Sequence, residues 1–298
     1  MNKSIRKIGI CGATIIGRSN PLLLSKILYR IKFKKKMNYK NPQGFNEKLQ
    51  WLKFNNNDPL VVQCADKDSM HKYVKEKHCE QILNKVYGIY RSIDEIDYDK
   101  LPNKFALKGT HGCGFNIICK DKSRLDIERT NKLLDKWLKT KYGYRWGEIH
   151  YNKMEPKIIA EKFIEGINSD TLLDYKIHCF NGVPNFTLVC KDRMDGVGKA
   201  KYYYFDNDWE LIPYNEESKN CKEKIIIPKH FNEMLEYSRV LSKGFPFVRM
   251  DFYDTESGPI LGEMTFTPGA ALDNEYLPQI ERLLGDMIDL SGIKSSAY

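Results

Sequence analysis

Apolar and polar residues alternate one by one from Phe247 to Tyr253. Phe247, Arg249, Asp251 and Tyr253 fall to one side, and Val248, Met250 and Phe252 to the other. A period of two predicts a strand. Asp254 to Gly258 supply turn residues, and Ile260 to Phe266 run back as a second strand. Elsewhere the apolar spacing is three and four. Leu24, Ile27, Leu28 and Ile31 predict a helix over 22–31 with Pro21 in its first turn. Further helices are predicted over Phe45–Phe54, Lys67–Lys77 with Asp66 as N-cap, Leu125–Lys141, Phe231–Lys243 closed by Gly244, and Pro278–Leu290. Leu83–Ile89, Phe105–Lys108, Phe115–Cys119, Lys157–Ile164 and Lys201–Phe205 read as strands. Tyr175–Phe180 and Asn185–Val189 flank Asn181-Gly182, a two-residue hairpin signal. Met1 to Ile16 is mildly basic and then apolar, its apolar run broken by Gly9 and Gly12, with Arg18 following and no small-residue cleavage site. It reads as a first strand and turn, not a signal peptide.

Two of these stretches carry chemistry. Residues two apart on a strand share a face, so Arg249 and Asp251 project together, and the return strand can place Glu263 beside Asp251. Two carboxylates and a guanidinium on one face are costly unless a cation sits between the acids. Hard oxygen donors of this kind suit Mg²⁺. The competing reading is an exposed hairpin with ordinary surface charges. The second stretch is F-A-L-K-G-T-H-G-C-G-F at 105–115. Lys108 closes a strand, and Gly109, Gly112 and Gly114 follow in the loop. Glycines let backbone approach a ligand, and successive loop amides make an anion nest. The stretch is neither a P-loop, because G-x-x-x-x-G-K-[ST] is absent, nor a dinucleotide fingerprint, because a strand follows the glycines. It reads as a hairpin flap over phosphates, against a plain hairpin turn. His111 reads as a solvated loop histidine.

Charge narrows the partners. The 298 residues carry a net charge of +9, which favours a nucleotide, nucleic acid, acidic sugar or anionic lipid surface. No nucleic-acid-binding signature is present, so no nucleic acid is expected. Part of the excess lies in Lys32-Phe33-Lys34-Lys35-Lys36. A basic amphipathic helix can lie on an anionic membrane, or pack inward and leave its lysines in water. No run approaches the ~20 apolar residues of a membrane span. Eight cysteines without C-x-x-C argue against zinc, and without a secretion signal they read as reduced thiols of the cytoplasm.

Taken in order, these motifs resemble the ATP-grasp superfamily, and within it the TupA-like group associated with cell-surface polysaccharide and teichuronopeptide biosynthesis. The resemblance runs from about Asn41 to the C-terminus. It is carried by N-P-Q-G-F-N-E-K-L-Q-W-L at 41–52, Asp66-Lys67, the Lys108 loop, Glu161-Lys162-Phe163-Ile164, Arg249-x-Asp251 and Glu263. It implies an α+β fold in which two α+β lobes with mainly antiparallel sheets clamp ATP, preceded by a helical, basic N-terminal region. The implied division is an N-terminal region at 1–103, a small lobe with the flap at 104–163, and a catalytic lobe at 164–298.

The resemblance also implies roles. Lys67, Lys108, Gly112 and Gly114 would meet the phosphates, and Glu161, Lys162, Phe163 and Ile164 would form the adenine hinge. Arg249 and Lys108 would be catalytic, and Asp251, Glu263 and Thr265 would hold Mg²⁺. Thr265 departs from the Asn or Asp usual at that position and is a weaker ligand. Asp174, Lys176 and Arg193 are candidates for the acidic substrate. The implied reaction joins a carboxylate to an amine at the expense of ATP, through an acyl phosphate. The expected partners are an acidic glycan or uronic acid and an amino acid or amino sugar, in the cytoplasm at the inner face of the membrane. Two other classes stay open: a glycosyltransferase using Asp206-Asn207-Asp208 as a metal motif, and a non-catalytic nucleotide-binding or membrane-associated assembly protein.

Overall fold

The computed structural model describes residues 9–167, 172–191 and 201–294. The chain opens with two helices, α1 (Ile10–Ser19) and α2 (Pro21–Phe33). Three more follow: α3 (Phe45–Asn55), α4 (Pro59–Ala65) and α5 (Ser69–Glu76). Then come β1 (Val86–Tyr90), β2 (Phe105–Gly109), β3 (Asn116–Cys119), α6 (Ile127–Leu138) and β4 (Ile158–Lys162). The last part contains β5 (Asp174–Phe180), β6 (Val183–Lys191), β7 (Lys201–Phe205), β8 (Leu211–Ile212), α7 (Glu216–Lys219) and α8 (Phe231–Leu241). It closes with β9 (Phe247–Thr255), β10 (Gly258–Thr265) and α9 (Pro278–Asp286).

The strands form two antiparallel sheets, a four-stranded one in the order β1-β4-β2-β3 and a six-stranded one in the order β10-β9-β5-β6-β7-β8. Phe105, Leu107, Ile158 and Ala160 of the small sheet pack on Leu134 and Trp137 of α6. One face of the large sheet buries Ile177, Val189, Val248, Met250 and Phe252 against α8 and the α4–α5 pair. On the opposite face, Phe180, Phe186 and Phe247 meet Phe45 of α3 and Leu284 of α9. Each fully buried Phe or Leu contributes about 1.5–3 kcal/mol.

Several expectations need correction. Residues 1–8 of the opening stretch lie outside the described residues, and within its described part residues 10–16 form a helix rather than a strand. Its small residues are packing positions: a Cβ at Gly17 would lie 1.9 Å from the Tyr144 carbonyl oxygen, so only glycine permits this approach. The boundary at 103/104 runs through the small sheet, because β1 pairs with β4. Helix α4, absent from the sequence reading, starts on Asp58-Pro59, with the Asp58 carboxylate accepting from the Leu60 amide at 2.9 Å, and its β-branched Val61 and Val62 hide that signal. Asp66 ends α4, yet its Oδ1 accepts from the amides of Asp68 and Ser69 and so caps the start of α5 as well. His111 is buried, with Nε2 3.0 Å from the Trp137 carbonyl. The Asn181-Gly182 turn forms as the sequence requires, with φ of 49° and 82°.

Candidate active site

The floor of the site is a patch of charged side chains on one face of the large sheet. Strand β9 pairs Lys176 of β5 with Asp251, and His178 with Arg249. On its other side β10 pairs Glu263 with Asp251, and Thr265 with Arg249. Six polar residues from three strands thus face one another in two rows. Arg249 donates from Nε and Nη2 to the two oxygens of Asp251 at 2.6 and 2.7 Å, and Lys176 Nζ lies 2.5 Å from Oδ2. Lys176 also lies 3.4 Å from Asp174. Burial alone would raise the Asp251 carboxyl. The charges of Arg249 and Lys176 outweigh burial and hold it below the ordinary carboxylate range. Burial and the Arg249 charge push His178 well below its ordinary value, and its ring stacks on Phe186 at 4.2 Å. His178 is therefore a neutral support for the guanidinium.

A bulge decides which acids meet. Counted from the Thr255/Gly258 pair at the hairpin turn, Asp251 would face Gly262, and Glu263 would point to the opposite face. The register shifts by one residue between Leu261 and Glu263, so Glu263 faces Asp251 instead. Leu261 and Met264, three residues apart, consequently both enter the core beneath the sheet. Gly262 is the extra residue, and a Cβ there would meet the Tyr253 ring at 2.8 Å. Glu263 is held more loosely than Asp251. Its oxygens lie 3.8 Å from Arg249 and 3.6 Å from Lys67, the Thr265 hydroxyl donates to it at 3.3 Å, and its side chain is 31% exposed.

The roof is the β2–β3 hairpin of the small sheet. Lys108 reaches Glu161 on β4 at 2.6 Å, and Asn84 donates to the same Glu161 oxygen. Lys67 donates to the Gly112 carbonyl at 3.0 Å while lying near Glu263, so one side chain joins roof to floor. Gly114 has φ of 74° with open space around its α-carbon, while Gly112 is packed against Tyr142 and Phe115. Between roof and floor lies a cleft of about 830 Å³. Its walls include Lys108, Gly114, Phe163, Ile164, Asp251 and Glu263.

Behind the floor, α3 holds the loop that follows β10. Gly269, Ala270 and Ala271 all have φ near +60°, a conformation costing about 1–2 kcal/mol per non-glycine residue. Gln50 donates to the carbonyls of Ala270 and Ala271 at 3.2 and 3.0 Å, and Lys53 donates to Ala270 and Trp146, both at 3.2 Å. Thr267 donates to Glu148 at 2.6 Å. Asn46 donates to the Asp273 carbonyl at 2.8 Å. Burial raises Glu148 to about 7, against the Lys53 charge, and lowers Lys53 to about 8, against the Glu148 charge. The N-E-K-L-Q-W-L-K stretch of α3 is thus a clamp on this strained loop.

The residues expected from the sequence fall as follows. Lys67, Lys108, Gly114, Lys162, Phe163, Ile164, Asp174, Lys176, Asp251 and Glu263 line the cleft. Arg249 and Thr265 lie directly beside it on the floor. Gly112 contributes its carbonyl to Lys67. Glu161 is 5% exposed in the central strand of the small sheet and serves Lys108. The Lys162 amide donates to Lys85, and its carbonyl accepts from Asn84. The backbone groups of Lys162 are thus engaged within the small lobe, while Phe163 and Ile164 line the cleft. Lys176 is the counter-ion of Asp251 rather than a spare cation. Arg193 lies outside the described residues. Asp206 accepts from the amides of Asp208 and Glu210, a local turn, so Asp206-Asn207-Asp208 is loop chemistry. The sequence reading missed Gln50, Lys53, Glu148 and Thr267, since mid-helix or lone polar residues carry no positional signal. The fit to Mg²⁺ is good in donor type. Asp251 and Glu263 stand opposite each other with the Thr265 hydroxyl alongside, all hard oxygen donors. Among the described residues no cluster of three or more His, Cys, Asp or Glu is placed to hold a metal by itself.

Comparison with known proteins matches residues 47–289 to the family model described as TupA-like ATPgrasp. The chain belongs to this family, and its two antiparallel sheets around a cleft are the ATP-grasp fold. Among solved structures it is similar to a D-alanine–D-alanine ligase from Bacillus anthracis complexed with ATP, at 15% identity and a TM-score of 0.47, covering 76% of this chain and 65% of that one. A second, from Helicobacter pylori, has 16% identity and a TM-score of 0.44, covering 82% and 69%. A phosphoribosylamine–glycine ligase from Thermotoga maritima has 12% identity and a TM-score of 0.45, covering 71% and 50%. The chain therefore spans less than two thirds of the length of the first of these. No curated protein matches it.

Proposed function

We propose that the protein is an ADP-forming carboxylate–amine ligase that uses ATP and Mg²⁺. Its substrate would be a carboxylate of a cell-surface polysaccharide or its precursor, such as a uronic acid, joined to an amino acid or amino sugar. One observation carries the reading: Asp251 and Glu263 face each other beside Arg249 at the floor of a cleft whose roof carries Lys108 and the glycine flap. Family membership supports the ATP-dependent ligase.

In this reaction the γ-phosphoryl group passes to the substrate carboxylate, giving an acyl phosphate and ADP. The amine then attacks the acyl carbon and loses a proton, and phosphate leaves with the electrons of the broken C–O bond. Mg²⁺, when bound, supplies positive charge that lets phosphate and carboxylate approach. Asp251 and Glu263, with the Thr265 hydroxyl, would hold it. Arg249 is locked by both oxygens of Asp251, so its guanidinium is pre-positioned for an anionic group at the floor. Lys67 ties the flap to Glu263 and aligns roof with floor. Glu161 orients Lys108 toward the phosphates.

The test is ADP release from ATP and Mg²⁺ with uronic acids paired with amino acids or amino sugars, beside thermal stabilisation by each nucleotide. The reading expects stabilisation by ATP with Mg²⁺ and ADP release only with both substrates present. Stabilisation by a nucleoside-diphosphate sugar but not by ATP would overturn it in favour of a transferase.

A further inference from the structure

Charge is divided unevenly along this chain. Residues 1–46 contain eleven Lys and Arg and no Asp or Glu, whereas the other 252 carry 37 basic and 39 acidic residues. The whole positive excess therefore belongs to the segment ahead of α3. Helix α2 turns Leu24, Leu28 and Tyr29 inward, where they meet Ala13 of α1 and Leu272. Its outward stripe is Leu23, Lys26 and Arg30, all exposed and spaced by three and four. The stripe runs on into exposed Lys34, Lys35 and Lys36 at the helix end. Helix α1 exposes Ile10, Ile15 and Arg18. Ile15 is 63% exposed, Ile10 49% and Leu23 48%.

None of Arg18, Lys26, Arg30, Lys34, Lys35 and Lys36 forms an ion pair among the described residues. Elsewhere surface lysines and arginines recurrently find carboxylates, as in Lys104–Glu165 at 2.7 Å and Arg91–Glu155 at 2.9 Å. Lys26 lies over the Tyr39 ring at 5.4 Å and the Lys35 charge acts on Glu281, but neither is an ion pair. A cluster of cations without ion-paired carboxylates holds an outward field that favours an external anion. The large apolar side chains among them select the kind of anion. A soluble polyanion has no use for exposed isoleucine and leucine, but the boundary between lipid headgroups and acyl chains accommodates both.

We infer that the outer surface of α1 and α2 docks on an anionic lipid bilayer. Among the described residues no helix is long and apolar enough to cross a membrane, so the attachment is peripheral. The inference stands apart from the ligase reading, because none of these side chains lines the cleft. It does have a consequence for that reading. Helix α2 packs on Leu272, at the end of the strained loop behind the site, so docking holds that end of the cleft about one helix diameter, roughly 10 Å, from the lipid surface.

The experiment is co-sedimentation of the full chain with phosphatidylglycerol/phosphatidylcholine vesicles and with phosphatidylcholine vesicles, at low and high salt. Three proteins are compared: the native chain, a variant with Lys26, Arg30, Lys34, Lys35 and Lys36 changed to Gln, and the pair Ile15→Ser with Leu23→Ser. The native chain should bind only the anionic vesicles, and less at high salt. Loss of about fivefold per cation should take the five-site variant below detection, and the apolar pair should bind about tenfold less tightly. Absence of native binding at low salt, or equal partitioning of the native and five-site proteins, overturns the inference. So does an apolar-pair variant that binds vesicles like the native chain while dextran sulfate competes fully, which would make the surface a site for soluble polyanions. Unchanged melting temperatures of the variants confirm that the surface alone was altered.

Discussion

The floor of the cleft and the outer surface of α1–α2 are both rich in charge, and they manage it in opposite ways. On the floor every charge is answered from within. Arg249 and Lys176 converge on Asp251, and Glu263 sits between Arg249 and Lys67. On the N-terminal surface six cations have no carboxylate partner among the described residues. Buried charges must be paired, because an uncompensated ion in low dielectric costs several kcal/mol. Exposed ones need not be, since water and salt screen them. The difference teaches how each region works. Paired charges on a rigid sheet are a pre-set geometry into which a ligand is fitted, while unpaired charges on a surface are a standing attraction for a ligand outside.

The comparison makes its largest claim at Asp251 and Glu263. Asp251→Asn and Glu263→Gln should each lower turnover by at least about 10²- to 10³-fold, read as ADP release with substrates present. They should differ in stability. Asp251→Asn strands two buried cations and should cost about 3–5 kcal/mol in urea unfolding, whereas Glu263→Gln, partly exposed, should cost under about 1 kcal/mol. Near-normal ATP consumption by both variants would remove the metal assignment, and equal stability would break the contrast between the two acids.

Next in size is the clamp behind the floor. Lys53→Met removes two hydrogen bonds to the carbonyls of Ala270 and Trp146. It should lower kcat by about 10- to 100-fold, since misplacement near 1 Å costs that much. ATP affinity, measured by calorimetry, should stay unchanged. A variant that instead loses ATP affinity would place the loop's role in nucleotide binding.

Lys108→Ala should weaken ATP about tenfold. Because Glu161 is buried and depends on Lys108, the single change should also lower the melting temperature. Adding Glu161→Gln should restore the melting temperature but not the affinity. Restoration of both would show that Lys108 is structural.

The smallest effect is expected on the basic surface. Changing Lys26, Arg30 and Lys34 to Gln should alter unfolding free energy by no more than about 1 kcal/mol, because no ion pair is lost and the one internal contact removed is that of Lys26 with the Tyr39 ring. A larger drop would mean that these cations hold the fold together, and the distinction between the two regions would fail.

Much of the site was readable in local spacing. The alternation in Phe247–Phe266 announced the hairpin and put Arg249 beside Asp251. The glycines after Lys108 announced the flap, and Asn181-Gly182 announced its turn. These features depend on residues close in sequence, whose conformation follows from backbone sterics and side-chain periodicity. The family resemblance added the order in which the pieces belong. Other features depended on register across the sheet. Alternation alone carries Glu263 to the wrong face, and only the bulge at Gly262 returns it to Asp251. Lys176 became the counter-ion of Asp251 because β5 lies beside β9, although 75 residues separate the two positions. Gln50, Lys53 and Glu148 look like ordinary polar residues until the fold lays α3 against the loop after β10. The N-terminal segment shows the same division. Composition determined that it is strongly basic, but packing decided that α1 is a helix, because Gly17 is judged by the carbonyl it meets. Packing likewise decided which face of α2 is left to water, since Leu24 and Leu28 pack on Leu272, which arrives from the other end of the chain, as well as on Ala13 of α1.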